Sequence, residues 1–181
     1  MKDRYTTLDV VAAVQDLQTV VGMRVYNIYD INSKTYLIRF KDKDKKAVIM
    51  FESGIRIHLT ERDWPKNQIP SSFSMKLRKH VKNSRLESVK QVGNDRVVDL
   101  HFVDKDGSVH VILELYDRGN ILLTDGQYTI LNILRPRTDK DKDVKLSVKE
   151  IYPVELARND ATITTLENLQ SAIQTAKKEK C

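Results

Sequence analysis

An acid and a guanidinium, Asp95 and Arg96, stand side by side directly after Gly93-Asn94. Arginine can place two hydrogen bonds on a phosphate or a base edge, and aspartate can accept one from a base amine or a ribose hydroxyl. The pair is therefore a candidate for gripping RNA. The residues leave an alternative open, since a hairpin turn that begins with an aspartate and ends with a solvated arginine has the same sequence.

A second carboxylate, Asp9, closes the segment Thr6-Thr7-Leu8-Asp9. This spacing is that of a capping box, with Asp in place of the usual Glu, and predicts a helix that begins there. Capping and complementing the helix dipole are structural roles that account for Asp9 without any ligand. A binding role at the same position stays open beside them.

The segment from Ser74 to Lys90 carries six basic residues and only one acidic residue, Glu87. Its charge predicts a surface that attracts a polyanion such as RNA, in a chain whose net charge is +6. A solvated helix face without a ligand is the alternative. The residues expected to contact RNA are Lys76, Arg78, Lys79, Lys82 and Arg85.

Other chemistry finds no support in the sequence. The four histidines are scattered, and a single cysteine, Cys181, provides neither a disulfide nor a cysteine-based zinc site. Neither a Gly-rich phosphate loop nor a Gly-x-Ser-x-Gly motif occurs, so no cofactor, metal or catalytic residue is expected. The apolar runs are far shorter than a membrane span.

The elements that would position these residues alternate between two helices and many short strands. Apolar residues at helical spacing predict one helix ending near Gly22 and a second beginning at Ser71 or Ser72. Between and after them, turn residues separate about seven or eight strands. The sequence predicts an α+β fold: an antiparallel β-sandwich or partly open barrel flanked by helices. A last helix is expected from Thr165 to about Ala176.

Collinear motifs across residues 1–158 resemble the NFACT-N domain, the N-terminal domain of the nuclear export mediator factor family, which includes the tailing subunit of the ribosome quality control complex. Residues 159–181 are expected to begin a following helical region, cut short here. The segments that carry the resemblance are Leu8-Asp9, Gly22-Met23-Arg24-Val25, Tyr29-Asp30, Lys34-Thr35-Tyr36-Leu37-Ile38-Arg39, Glu52-Ser53-Gly54-Ile55-Arg56-Ile57-His58, Trp64-Pro65-Lys66, Pro70-Ser71-Ser72-Phe73, Asp95-Arg96-Val97-Val98-Asp99 and Glu114-Leu115-Tyr116-Asp117-Arg118-Gly119-Asn120.

The resemblance implies a fold similar to the N-terminal domain of formamidopyrimidine-DNA glycosylases. It does not imply their activity, because those enzymes use an N-terminal proline amine as nucleophile and this chain begins Met1-Lys2-Asp3. A glycosylase- or nuclease-like enzyme is thus the weaker hypothesis. The family's motif positions for tRNA handling fall on Asp9, Asp95 and Arg96.

By the same resemblance, the chain is a non-catalytic module that binds tRNA and the large ribosomal subunit. Family members bind a split large subunit that carries peptidyl-tRNA, help to recruit the E3 ligase Listerin, and retain aminoacyl-tRNA while an untemplated C-terminal tail is added to the stalled chain. Listerin binding is expected to depend on regions missing here. We expect a cytoplasmic protein that can shuttle through the nucleus, and keep a nuclear-export adaptor as the alternative function.

Overall fold

The computed structural model describes residues 4–139 and 144–156, and its main feature is one nine-stranded antiparallel sheet. The strand order is β4-β3-β2-β1-β5-β6-β7-β8-β9, with a separate ribbon of β10 and β11. The α+β class is therefore confirmed. The strands are β1 (Arg24–Asp30), β2 (Thr35–Asp42), β3 (Lys45–Glu52), β4 (Arg56–Leu59), β5 (Arg85–Gln91), β6 (Val97–Asp104), β7 (Gly107–Glu114), β8 (Asn120–Asp125), β9 (Ile130–Ile133), β10 (Arg137–Asp139) and β11 (Val144–Leu146).

Helix α1 (Thr7–Leu17) begins as the sequence predicts. The Thr6 hydroxyl accepts a hydrogen bond from the Asp9 backbone N–H at 3.3 Å, and the Asp9 carboxylate accepts one from the Thr6 N–H at 2.8 Å. The α-helix ends at Leu17 rather than near Gly22, because a 3₁₀ turn over Gln18–Val20 continues the chain.

Helix α2 (Ser72–Val81) is capped by Ser71, whose hydroxyl accepts from the Ser74 N–H at 3.1 Å. Its predicted apolar stripe, Phe73, Leu77 and Val81, is buried. Neither helix in the described part of the chain combines the length and hydropathy needed to cross a bilayer. The helix expected from Thr165 lies outside the described residues.

The two halves of the sheet share one core. Strands β1 and β5 form the short junction between the halves, where Arg24 pairs with Arg85 and backbone hydrogen bonds flank the pair, such as that from the Leu86 N–H to the Met23 carbonyl at 3.0 Å. The principal core takes alternate side chains from both halves, such as Phe40 and Phe102, together with the buried faces of α1 and α2. The halves therefore fold face to face as a sandwich, and a smaller core lies on the other face of β6–β9.

The two halves meet at one end of the sheet, where the turn after β3 touches the turn after β7. The Gly54 N–H donates to the Glu114 carbonyl at 3.1 Å. Both Gly54 and Gly119 have positive φ, and a Cβ on Gly119 would lie 1.9 Å from the Gly54 nitrogen. The Arg135 guanidinium braces this seam, donating to the carbonyl of Gly119 at 3.2 Å and to the Ser53 hydroxyl at 3.3 Å. A side chain on Gly119 would force the halves apart.

We predict that Gly119→Ala lowers the free energy of unfolding by at least about 3 kcal/mol, because its methyl group overlaps backbone atoms that cannot rotate away. Gly22→Ala is the matched control. Its φ is also positive, at +91°, but open space surrounds the added Cβ, so it should cost only the left-handed conformation, about 1–2 kcal/mol. Urea unfolding measures both values, and equal losses would contradict a tight seam.

Candidate nucleic-acid interface

Asp95 and Arg96 lie in the turn of residues 92–96 that joins β5 to β6. The Asp95 N–H donates to the Val92 carbonyl at 3.3 Å, and the Gln91 side-chain amide donates to the Asp95 carbonyl at 2.8 Å. The Asp95 carboxylate accepts from the Arg96 N–H at 2.7 Å. Both side chains are half-buried. The hairpin expected from the sequence is confirmed, and its internal hydrogen bonds hold Asp95 in a defined position.

The Arg96 guanidinium makes no hydrogen bond or ion pair with any residue that the structure describes. Its backbone, in contrast, is fixed, because the Arg96 carbonyl accepts from the Leu115 N–H at 2.8 Å. A guanidinium on a rigid backbone can bind a phosphate or a base edge without first breaking an internal contact.

Beneath this turn, the Glu114 carboxylate is 1% exposed and holds three neighbouring side chains. Its Oε1 accepts from the hydroxyls of Tyr116 at 3.0 Å and Tyr152 at 3.2 Å, and from Arg137 Nη2 at 3.2 Å. The same Nη2 lies 3.1 Å from Oε2, which forms this ion pair but has no hydrogen bond of good geometry within the described residues. The network ties strands β7 and β10 together beside the turn.

Burial raises the pKa of Glu114 above its ordinary value, and the nearby Asp95 charge raises it further, while Arg137 lowers it. Burial and the Glu114 charge also raise the pKa of Tyr116 to about 12. Tyr116 therefore remains a hydrogen-bond donor at neutral pH.

The N-terminus of α1, with Asp9, lies along the same row of backbone segments as the 92–96 turn. Three backbone hydrogen bonds connect neighbouring segments of this row. The first involves Tyr5, and Asp9 lies about one helical turn after Tyr5. The three bonds are Tyr5 N–H to the Ile55 carbonyl at 3.0 Å, Gly54 N–H to the Glu114 carbonyl at 3.1 Å, and Leu115 N–H to the Arg96 carbonyl at 2.8 Å. The structure thus brings the three predicted tRNA-handling residues to one end of the sandwich.

The predicted basic patch is divided. Lys79, Lys82 and Arg85 line a cavity of about 720 Å³ and are joined there by Arg24 and Lys105. These additions come from β1 and from the turn between β6 and β7, far away in sequence, so charge counting along the chain missed them. Two carboxylates, Asp104 and Asp106, also line this cavity, which we call the basic cleft.

Lys76 and Arg78 do not line the basic cleft. Lys76 is exposed elsewhere on α2, whereas Arg78 is half-buried. Its Nε donates to the Ile28 carbonyl at 2.7 Å, and its guanidinium lies 5.5 Å from the Tyr29 ring centre. The Arg78 side chain is therefore engaged with the backbone of β1. The five predicted residues do not form one patch.

The basic cleft and the 92–96 turn occupy opposite ends of β5. A strand rises about 3.3 Å per residue, which separates Arg85 from Gln91 by about 20 Å. One ligand can touch both regions only if it is at least that long, as a folded RNA is.

A buried polar cluster on β6 and β7 also escaped sequence reasoning. His110 Nδ1 lies 2.9 Å from Asp99 Oδ1, and the Tyr128 hydroxyl donates to Asp99 Oδ2 at 2.8 Å. The His101 ring stacks on that of His110 at 4.3 Å, and burial followed by the His110 charge lowers the pKa of His101. Each of these side chains has a partner within the cluster. The described residues hold no metal-binding group of three or more such side chains.

We predict that wild-type stability falls, relative to Glu114→Gln, as the pH rises above about 4.5. A carboxyl whose pKa is raised in the folded state stabilises the fold fully at pH values below its unfolded pKa. This stabilisation is lost as the pH rises through the folded pKa. Urea unfolding of both proteins between pH 4.5 and 8 measures the difference. A difference that moves the other way would show that the Arg137 ion pair outweighs burial.

Comparisons with known proteins identify relatives of this chain. The chain is 54% identical to the mouse protein "Ribosome quality control complex subunit NEMF" over 98% of its length, and 48% identical to the Drosophila melanogaster NEMF homolog over 98%. It is 30% identical over 84% to the archaeal Rqc2 homolog aRqcH of Methanocaldococcus jannaschii. The chain spans only 17%, 18% and 24% of these three relatives.

Among solved structures, the N-terminal domain of the fibronectin-binding protein PavA from Streptococcus pneumoniae matches with a TM-score of 0.78. The match has 24% identity and covers 93% of this chain and 72% of that one. It supports the fold alone. This neighbour is not a glycosylase, so the expected glycosylase likeness stays a prediction.

The family with the description "NFACT N-terminal and middle domains" matches residues 6–181. This range runs past residue 158, so the expected boundary there also stays a prediction. With this match and relatives of such identity, the chain belongs to the NFACT family.

Proposed function

We propose that this chain is a non-catalytic RNA-binding module of ribosome quality control, which binds tRNA and the large ribosomal subunit. The observation that carries the proposal is the Arg96 guanidinium, unpaired within the described residues and set on a braced turn. The names of the relatives support the pathway, since each is a ribosome quality control subunit or an Rqc2 homolog.

At this end of the sandwich, each residue has a distinct part in binding. Arg96 places its fork on a tRNA phosphate or base edge, and Asp95 accepts a hydrogen bond from a base amine or ribose hydroxyl. Asp9 caps α1 and presents its carboxylate in the same row. The basic cleft contacts phosphates of a second RNA segment, belonging to the same tRNA or to ribosomal RNA.

In the whole protein, these contacts would retain aminoacyl-tRNA on a large subunit that still holds peptidyl-tRNA, and so support tailing of the stalled chain. The ribosome would form the peptide bonds. Listerin would be recruited through regions outside this chain. The protein would act in the cytoplasm and shuttle through the nucleus. A nuclear-export adaptor remains the alternative, and capture of an export receptor that survives RNase treatment would favour it.

We predict that Arg96→Ala weakens tRNA binding about tenfold or more, because a charge-assisted contact contributes about 1.5–3 kcal/mol. Arg96→Lys should have a tRNA affinity between those of the wild type and Arg96→Ala, since lysine keeps the charge but cannot place two parallel hydrogen bonds. Filter binding at fixed salt measures the affinities, and urea unfolding checks the fold. Lys34→Ala, an equal loss of charge at an exposed position, is the control. If Lys34→Ala and Arg96→Ala weaken binding equally, the turn has only a structural role.

For the basic cleft, we predict that the double variant Lys79→Ala with Lys82→Ala reduces the slope of log affinity for tRNA against log salt concentration. The reduction should correspond to the loss of about one to two phosphate contacts. Point charges on phosphates carry no sequence information, so the loss should be similar for every tRNA. Affinity across a salt series measures the slope. Lys34→Ala with Lys90→Ala removes the same charge at exposed positions that do not line the cleft. An equal flattening by both pairs would mean that only net charge matters.

A further inference from the structure

A groove lies along one face of β1–β3, and none of its lining residues belongs to the 92–96 turn or to the basic cleft. The segment of residues 60–67 crosses this face, held by hydrogen bonds from the Thr60 N–H to the Val48 carbonyl at 2.9 Å and from the Asn67 N–H to the Asp30 carbonyl at 3.0 Å. The cavity beside the segment has a volume of about 1200 Å³. It has room for several nucleotides.

Aromatic rings lie in and beside the groove: Trp64 and Tyr29 line it, and Tyr26 neighbours its lining residue Arg39. The Arg62 guanidinium lies 4.9 Å from the Trp64 ring centre, and Arg39 lies 5.8 Å from that of Tyr26, which is 51% exposed. The Trp64 indole N–H donates to the Thr60 hydroxyl at 3.0 Å, which fixes the ring beside the groove. Such rings offer π faces on which bases can stack.

The groove carries more basic than acidic residues. Neither Arg39 nor Arg62 has an ion pair or side-chain hydrogen bond within residues 4–139 and 144–156. Asp63, in contrast, is already paired with Lys66 at 2.9 Å. Five basic residues line the groove against three acidic ones: Arg39, Lys45, Lys46, Arg62 and Lys66 against Asp44, Glu61 and Asp63.

We propose that this groove binds single-stranded RNA, with a base stacked on Trp64 and phosphates on Arg39 and Arg62. Aromatic faces between cations suit unpaired nucleotides, because bases within a duplex stack on one another and leave no face for a protein ring. A guanidinium stacked on a ring is already oriented for a phosphate. The groove uses none of the residues of the 92–96 turn or the basic cleft. Failure of this proposal can therefore be distinguished from failure of the proposed function.

Trp64 makes the test specific to this site, since it is the chain's single tryptophan. A short oligouridylate or oligoadenylate is titrated into the 181-residue chain while tryptophan emission is followed, and a labelled oligonucleotide reports total binding by anisotropy. We expect saturable quenching with the same midpoint as the anisotropy change. Oligonucleotide binding without a change in Trp64 emission, or no binding at low salt, would overturn the proposal.

Variants then separate the groove from general charge. Arg39→Gln with Arg62→Gln should weaken oligonucleotide binding about tenfold or more, whereas Lys34→Gln with Lys90→Gln, an equal loss of charge outside the groove, should change it less than about threefold. Polyglutamate of matched charge should compete poorly, because it lacks rings to stack. Equal weakening by the two pairs, or equal competition by polyglutamate, would show a surface that attracts any polyanion and would refute a single-strand site.

Discussion

The architecture depends on one close backbone contact, where Gly54 and Gly119 meet and hold the two halves of the sheet around its core. No residue with a side chain fits at Gly119 in this arrangement. The contact also fixes the backbone of Glu114, whose carbonyl accepts the Gly54 N–H, and Glu114 is the residue paired with Val97 at the start of β6. The position of the 92–96 turn is therefore set by the closure of the sandwich.

Electrostatic interactions of a buried carboxylate also hold this region in place. The Glu114 carboxylate is buried with Arg137 and two tyrosine hydroxyls, and burial raises its pKa despite these partners. A charge held in this way contributes little net stability, but it fixes the strands beneath Arg96 in one register. Arg96 itself is left without a partner among the described residues. A binding group prepared in advance loses less conformational entropy when it meets its ligand.

Local features of this chain were predictable, and features formed across the sheet were not. The caps at Thr6 and Ser71, the stripe on α2 and the turn at Asp95 follow from residues a few positions apart, whose effects are short-ranged. The basic cleft takes Arg24 and Lys105 from distant elements, and the Arg78 side chain donates to a β1 carbonyl instead of lining the cleft. Strand pairing decides such neighbours, and no local periodicity records it.

RNA binding at the 92–96 turn is the central claim, and side-chain NMR tests it most directly. With the arginine Nε–Hε groups labelled, tRNA is titrated into the chain and the Arg96 resonance is compared with that of Arg118, an exposed arginine in the turn after β7. The account predicts that the Arg96 resonance shifts and becomes protected from solvent exchange, in step with binding, while that of Arg118 changes less. An Arg96 resonance that stays unchanged while tRNA binds would contradict it.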